Sequence, residues 1–270
     1  GIEMKGYFIR PDLSETRRNT LIVVGGGDSL VEDMVFVFGL GIGERSYNFL
    51  SVDLPGQGDT PLAGMKMTPD SERPMKAVVD YALSRPEVDP ARLAAVGGSL
   101  GGYIVPRAAI HDDRIKAIVV NSLILNLYEY FVQAKELKTL ARLEGMPGFR
   151  ILLRLSGSWL AGLFNVMDTW KWKWGVDAIA EWLEVSKAYE IDPSGIRCPT
   201  LLLIGEDEYA FEASRRFQKE ALDRINHPRK ELVIGSGELG AGGKNFLPNL
   251  TLFRNTTFDW LDEVFEDQSP

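Results

Sequence analysis

Gly97-Gly98-Ser99-Leu100-Gly101-Gly102 lies between the apolar run Arg92–Val96 (RLAAV) and the helical pattern Tyr103–His111 (YIVPRAAIH). A G-x-S-x-G spacing alone carries little information. Between a strand and a helix it describes a turn so tight that side chains at the flanking glycines would clash, and the serine oxygen is lifted clear of the sheet edge. The helix that follows aims its partial positive N-terminus at the same place. Ser99 therefore reads as a nucleophile, and the Leu100 N–H as a donor to an oxyanion.

Working outward, short apolar runs alternate with helical patterns on both sides of this turn. Strands are expected at 2–9, 20–25, 48–53, 92–97, 116–121, 200–205 and 230–235, and helices near 29–42, 70–84, 100–111, 208–225 and 247–266. Asp70 is the expected N-cap of the second helix, with Pro74 in its first turn. LIVVGGG, RLAAVGGS, IKAIVVN and TLLLIGE each end abruptly in Gly or a polar residue. That rhythm is the signature of an α/β fold, a mostly parallel sheet with helices on both faces, whose sites lie beyond the carboxyl ends of the strands.

Two loops beyond those ends stand out. Gly25-Gly26-Gly27-Asp28-Ser29 follows the second strand, and glycines allow close backbone approach to a ligand. The Gly27 N–H is the expected second oxyanion donor, with Asp28 next and also a candidate substrate contact. Asp53-Leu54-Pro55-Gly56-Gln57-Gly58-Asp59-Thr60 reads as a structural turn shaping the pocket floor.

The interval 124–198 breaks the rhythm with helix-like sequence and no strand. It holds Trp159, Trp170, Trp172, Trp174 and Trp182, five of the six tryptophans. An insertion at the carboxyl edge reads as a helical lid, leaving 1–123 and 199–270 as the core domain. Trp170, Trp172 and Trp174 are the expected substrate contacts, the other reading being that these rings form the lid's own core. Their alternation with Lys171 and Lys173 also has an amphipathic look.

Composition narrows the partners. The formal net charge is -8 and the basic residues are scattered, so no stripe for nucleic acid exists. No apolar run reaches the roughly 18 residues of a membrane span, and the start lacks a signal-peptide layout. A single cysteine, Cys198, excludes an intrachain disulfide and suits a reducing, cytoplasmic compartment. Before an apolar strand, it reads as a small buried hydrophobe. The abrupt start on Gly1 suggests that an N-terminal segment precedes it. Neither a cofactor nor a metal is expected; a small-molecule substrate is, together with a homodimer.

GGGDSLVED, VDLPGQGDT, GGSLGGY, CPTLLLIGEDE and FDWLDEVF, in this order and spacing, resemble the α/β-hydrolase superfamily. More narrowly, they are similar to its dipeptidyl-aminopeptidase or acylaminoacyl-peptidase-like branch. That branch holds dihydroxypseudooxynicotine hydrolase, fermentation-respiration-switch-type esterases and fungal polyketide-shortening hydrolases. The resemblance implies an α/β-hydrolase fold, and serine-dependent cleavage of esters or of C–C bonds next to ketones. It also implies an acid after TLLLIG: the usual offset from Gly205 falls on Glu208, whereas Asp207 has the more usual side chain and is favoured. The family's histidine would fall within Glu238–Asn245, but Lys244 stands at that position.

The two histidines do not replace it. His111 lies some twelve residues along a helix from Ser99, roughly 18 Å at 1.5 Å per residue. His227 precedes the last strand, one strand length or about 17–20 Å from the catalytic edge. Lys244 is then either a base kept neutral by desolvation or a cation beside Asp207 or Glu208. The expected function is an enzyme acting on a carbonyl-bearing, largely apolar small molecule of polyketide-like character through a non-standard triad. A cyclase, lyase or acyl-transfer catalyst, and a non-catalytic ligand-binding homologue, are the alternatives.

Overall fold

The computed structural model describes residues 3–133, 135–149, 151 and 159–267. The first half runs β1 (Gly6–Ile9), β2 (Arg18–Val24), α1 (Val31–Val37), β3 (Asn48–Val52), α2 (Glu72–Ser84), β4 (Val88–Gly98), α3 (Gly101–His111) and β5 (Ala117–Asn121). Among the described residues four helices follow: α4 (Leu127–Val132), α5 (Lys135–Glu144), α6 (Trp159–Trp174) and α7 (Ile179–Ser186). The chain returns to the sheet with β6 (Thr200–Gly205), α8 (Glu206–Tyr209), α9 (Glu212–Arg224), β7 (Lys230–Gly235) and α10 (Leu250–Asp267).

The strands form one seven-stranded sheet in the order β1-β3-β2-β4-β5-β6-β7. β1 is antiparallel to β3 and the remaining pairs are parallel. The order reverses between β2 and β4, whose carboxyl ends lead into the glycine loop at 25–27 and into Ser99. A crevice at such a reversal is where open α/β sheets take their ligands.

The central strands are apolar on both faces because both are covered. Leu21, Val23, Ala94 and Val96 pack against Phe253, Phe258 and Leu261 of α10. Ile22, Val24, Leu93 and Ala95 face the other way, toward Val78 and Val79 of α2 and Val105 of α3. Period-two alternation is thus present in geometry but invisible in hydropathy.

Some boundaries differ from the sequence reading. The helix expected over 29–42 stops at Val37, where Gly39 and Gly41 turn the backbone into a 3₁₀ segment. The helix expected over 208–225 divides into α8 and α9. Ser71, not Asp70, is the N-cap of α2; the Asp70 carboxylate instead meets Arg73 and Arg107, both at 3.5 Å.

Candidate functional site

The serine turn is built as its glycines dictate. A Cβ on Gly97 would lie 2.1 Å from the Gly101 carbonyl oxygen, and one on Gly101 would lie 2.4 Å from that of Val24. Ser99 has φ +55°, the left-handed conformation that a non-glycine residue holds only when its surroundings impose it. Those surroundings are visible. The Ser99 N–H donates to the Asn121 carbonyl at 2.8 Å and to Asn245 Oδ1 at 3.2 Å. Asn245 is itself at φ +56°, a region asparagine tolerates.

Across from Ser99 the glycine loop is held at several points. Gly26 comes so close that a Cβ there would sit 3.2 Å from Ser99 Oγ. Its N–H donates to Ser29 Oγ at 2.9 Å. Gln57, buried in the turn after β3, donates from Nε2 to the carbonyls of Gly25 (2.8 Å) and Gly26 (3.0 Å). From the other side, Lys173 Nζ donates to the Gly27 carbonyl at 2.7 Å. Among the described residues, the N–H groups of Gly27 and Leu100 have no internal partner.

The helical segment between β5 and β6 contributes directly here. Trp170 Nε1 donates to Asp28 Oδ2 at 2.8 Å, and its ring lies over Gly27. Lys173 also pairs with Asp28 at 3.4 Å. The expectation that Trp170, Trp172 and Trp174 share one task meets a geometric obstacle. Residues two apart on a helix point about 200° apart. Trp170 lines the site. Trp172 is 40% exposed, with the Lys66 ammonium 4.7 Å from its ring. Trp174 is buried against Tyr189, Phe131 and Trp182. The side chain of Trp159 and residues 152–158 of the expected insertion lie outside the described residues.

Two cavities meet at Trp170. One, of about 250 Å³, contains Ser99 and is walled by Val96, Met34, Phe38, Phe253 and Asn245. The other, of about 570 Å³, lies beside the helical segment between β5 and β6, and Phe131, Leu140, Met167 and Trp182 are among its walls. Asp28, Trp170 and Lys244 belong to both.

The two candidate acids part company. Asp207 is exposed at the rim of the larger cavity. Glu208 is 5% exposed, and its Oε1 accepts from Ser122 Oγ at 2.7 Å and from Tyr130 Oη at 3.0 Å. Burial, and then the adjacent Glu208, holds the Tyr130 phenol well above its ordinary range, so it remains a donor. Lys244 is exposed and forms no ion pair among the described residues; its Nζ lies 5.7 Å from the Tyr130 ring centre. The charge pair expected between Lys244 and Asp207 or Glu208 is therefore not what the structure brings together.

Other expected absences of catalytic role have clear placements. His111 ends α3 and is exposed. His227 Nδ1 accepts the Arg229 N–H at 3.1 Å, before β7. Burial pushes the Cys198 thiol up to about 12. Among the described residues no cluster of His, Cys, Asp and Glu is placed to hold a metal, and no helix is long and apolar enough to cross a membrane. The sequence reading placed Gln57 only in a structural turn and Lys173 only in the tryptophan alternation, and it did not single out Ser122, Tyr130 or Asn245. Only Asn245, beside the expected base position, carried a local signal.

Comparison with known proteins fits this geometry. Over 270 aligned residues the chain is 33% identical to 20-hydroxy-prefusarin hydrolase FUS2 of Gibberella moniliformis, covering 91% of this chain and 62% of that protein. It is 29% identical to the hydrolase acrC of Aspergillus aculeatus, covering 94% and 62%. The chain thus spans about three fifths of the length of these curated relatives. Among solved structures, 2,6-dihydroxy-pseudo-oxynicotine hydrolase superposes with a TM-score of 0.73 at 23% identity, over 97% of this chain and 64% of that one. The profile of the Alpha/beta hydrolase family matches residues 21–240. With a match of that extent, the chain belongs to the alpha/beta hydrolase family.

Proposed function

We propose that the chain is a serine-centred enzyme acting on a carbonyl-bearing, largely apolar small molecule, at an ester or at a C–C bond next to a ketone. The observation that carries this reading is Ser99, held at φ +55° at the sheet's reversal point and opening into an apolar-walled cavity. Ser99 Oγ bonds to the carbonyl carbon while the carbonyl π pair moves onto oxygen, which the Gly27 and Leu100 N–H groups receive. The serine proton passes to Lys244, which lines the same cavity. It returns from there to the leaving oxygen or carbon as the adduct collapses, and water then adds to the Ser99 ester by the same steps, releasing the acid and restoring the hydroxyl. The similarity to 20-hydroxy-prefusarin hydrolase supports a small-molecule substrate.

A second reading is favoured by one contact. The Tyr130 ring face suits an ammonium better than a neutral amine. As a cation, Lys244 stabilises a carbonyl or enolate oxygen without accepting the serine proton, and the site then serves cyclisation, lyase chemistry, acyl transfer or ligand binding. Incubation with a fluorophosphonate probe and peptide mass spectrometry separates the two. The nucleophile reading expects label on Ser99 and none in Ser99→Ala. Absence of label on Ser99, with apolar ketones bound but unchanged, carries the second reading instead.

A further inference from the structure

We infer that Asn245 is a ligand-binding residue, whose side-chain nitrogen donates to a second acceptor oxygen of the substrate, an ether, hydroxyl or keto oxygen close to the reacting carbonyl. The inference rests on the carbonyl-directed reading of the site. It adds the chemistry of the group that accompanies that carbonyl.

The orientation of this amide is fixed by Ser99. Asn245 Oδ1 accepts the Ser99 N–H at 3.2 Å. Of the two branches of an amide only the oxygen accepts, so Nδ2 occupies the other one. That nitrogen carries two donors and makes no hydrogen bond among the described residues. It is not one of the enclosed polar atoms that lack a partner, so it keeps accessible surface although the residue as a whole is only 9% exposed. Asn245 also lines the cavity of about 250 Å³ that contains Ser99. A few oriented polar groups of this kind are what fix a ligand's pose in a small-molecule pocket.

The backbone holds the amide in place. Asn245 and Phe246 both stand in the left-handed region, at φ +56° and +55°, which is unusual for a bulky residue such as phenylalanine. Phe246 is fully buried in the cluster that contains Ala241 and Phe253. On the other side the Gly242 carbonyl accepts the Asp207 N–H at 3.0 Å. Strained residues tied down on both sides cluster at ligand sites, where the strain serves preorganisation.

The reacting carbonyl oxygen does not need this donor. It offers two lone pairs, and the N–H groups of Gly27 and Leu100, both without an internal partner, are there to meet them. Of the other side-chain N–H donors in this lining, Trp170 is engaged with Asp28, and Lys244 is the base or cation of the readings above. Nδ2 is left for a different oxygen of the ligand.

The test compares 1-butoxypropan-2-one with octan-2-one, ketones of equal chain length that differ by an ether oxygen in place of one CH₂. Each is titrated into the wild-type protein and two variants, with tryptophan fluorescence as the readout because Trp170 lines the cavity. Asn245→Asp keeps an oxygen for the Ser99 N–H and tolerates the left-handed backbone, but has no amide nitrogen. Asn245→Gly removes the whole side chain without backbone strain. In both variants the ratio of the two dissociation constants should shift about fivefold in favour of octan-2-one, the effect of losing one neutral hydrogen bond. An unchanged ratio overturns the proposal even if both ligands weaken, because a purely structural role, or a donor aimed at the reacting carbonyl, affects the two ketones alike. A shift confined to one of the two folded variants overturns it, as does failure of the wild type to bind 1-butoxypropan-2-one. Neither ketone has to react, so an unlabelled Ser99 would count against the nucleophile reading while leaving this ratio decisive for Asn245.

Discussion

Lys173 Nζ donates to the Gly27 carbonyl at 2.7 Å, tying α6 to the loop that faces Ser99 across the sheet's reversal point. In a trans peptide the C=O and the next N–H point in opposite directions. Holding the Gly27 carbonyl therefore fixes the Asp28 N–H, and holding the Gly26 carbonyl through Gln57 fixes the Gly27 N–H. The two proposed donors of this loop are thus aimed by side chains from two different segments.

The first prediction follows from those peptide planes. Gln57→Leu should slow fluorophosphonate labelling of Ser99 by up to about 10²-fold, the typical cost of misplacing a reacting group by about 1 Å. Lys173→Met should slow it less, because the Asp28 N–H is the secondary donor. Gln57→Leu also strands the Leu54 N–H that Gln57 Oε1 accepts, and should cost about 1–3 kcal/mol in urea unfolding. If Lys173→Met proves the more damaging to labelling, Asp28 rather than Gly27 supplies the donor.

A second prediction concerns Asp53, which accepts the Val31 N–H at 3.0 Å and so caps α1. Burial, with Glu32, Asp59 and Asp33 nearby, raises its pKa from 3.8 to about 6. Between those values the native state holds a proton that the unfolded chain has released. The contribution of Asp53 to stability therefore grows as pH falls from about 6 toward 4, and above about 6 its charged form is a constant penalty. The penalty is on the order of 2–3 kcal/mol at 1.36 kcal/mol per pKa unit. Asp53→Asn keeps an acceptor for Val31, so it should be more stable than the wild type at pH 7.5 and lose that advantage near pH 4.5. Urea unfolding of both proteins at a series of pH values gives the difference, in which all other titrations cancel. A difference independent of pH would refute the burial argument.

The third prediction divides the tryptophans. Trp174→Ala should destabilise by about 3–5 kcal/mol, as for other buried aromatics. Trp172→Ala should cost less than about 1 kcal/mol, the worth of one exposed cation–π contact. Trp170→Ala removes the partition between the two cavities, so it should raise labelling by bulky fluorophosphonates relative to small ones. Unfolding curves and competitive labelling check all three. A shift in probe preference from Trp172→Ala would return that residue to the substrate path.

How far the sequence reached follows from which signals are local. Every central strand is a continuous apolar run ending in Gly or a polar residue, so the sheet was legible to within a few residues. The serine turn was legible because Gly97 and Gly101 admit no side chain. The alternating tryptophans misled because a period of two belongs to strands and this segment is a helix. Gln57, Lys173 and Tyr130 act on groups 31, 146 and 78 residues away. No local pattern announces such closures; they exist only in the folded chain.

The last prediction rests on Lys244, which lines both the cavity holding Ser99 and the one holding Glu208. A histidine at that position would bring an imidazole into the cavity that holds Ser99. Lys244→His should therefore raise hydrolysis of p-nitrophenyl butyrate by about 10²–10⁴-fold, the usual contribution of general-base catalysis. If Lys244 accepts the serine proton, Lys244→Met should eliminate the wild-type rate. If Lys244 acts as a cation instead, the histidine variant still gains hydrolysis. The methionine variant then loses binding of ketones while the already low hydrolysis rate hardly changes. A flat response to both substitutions would place residue 244 away from the reacting carbonyl and leave Asn245, bonded to the Ser99 N–H, as the side chain from this loop that governs the serine.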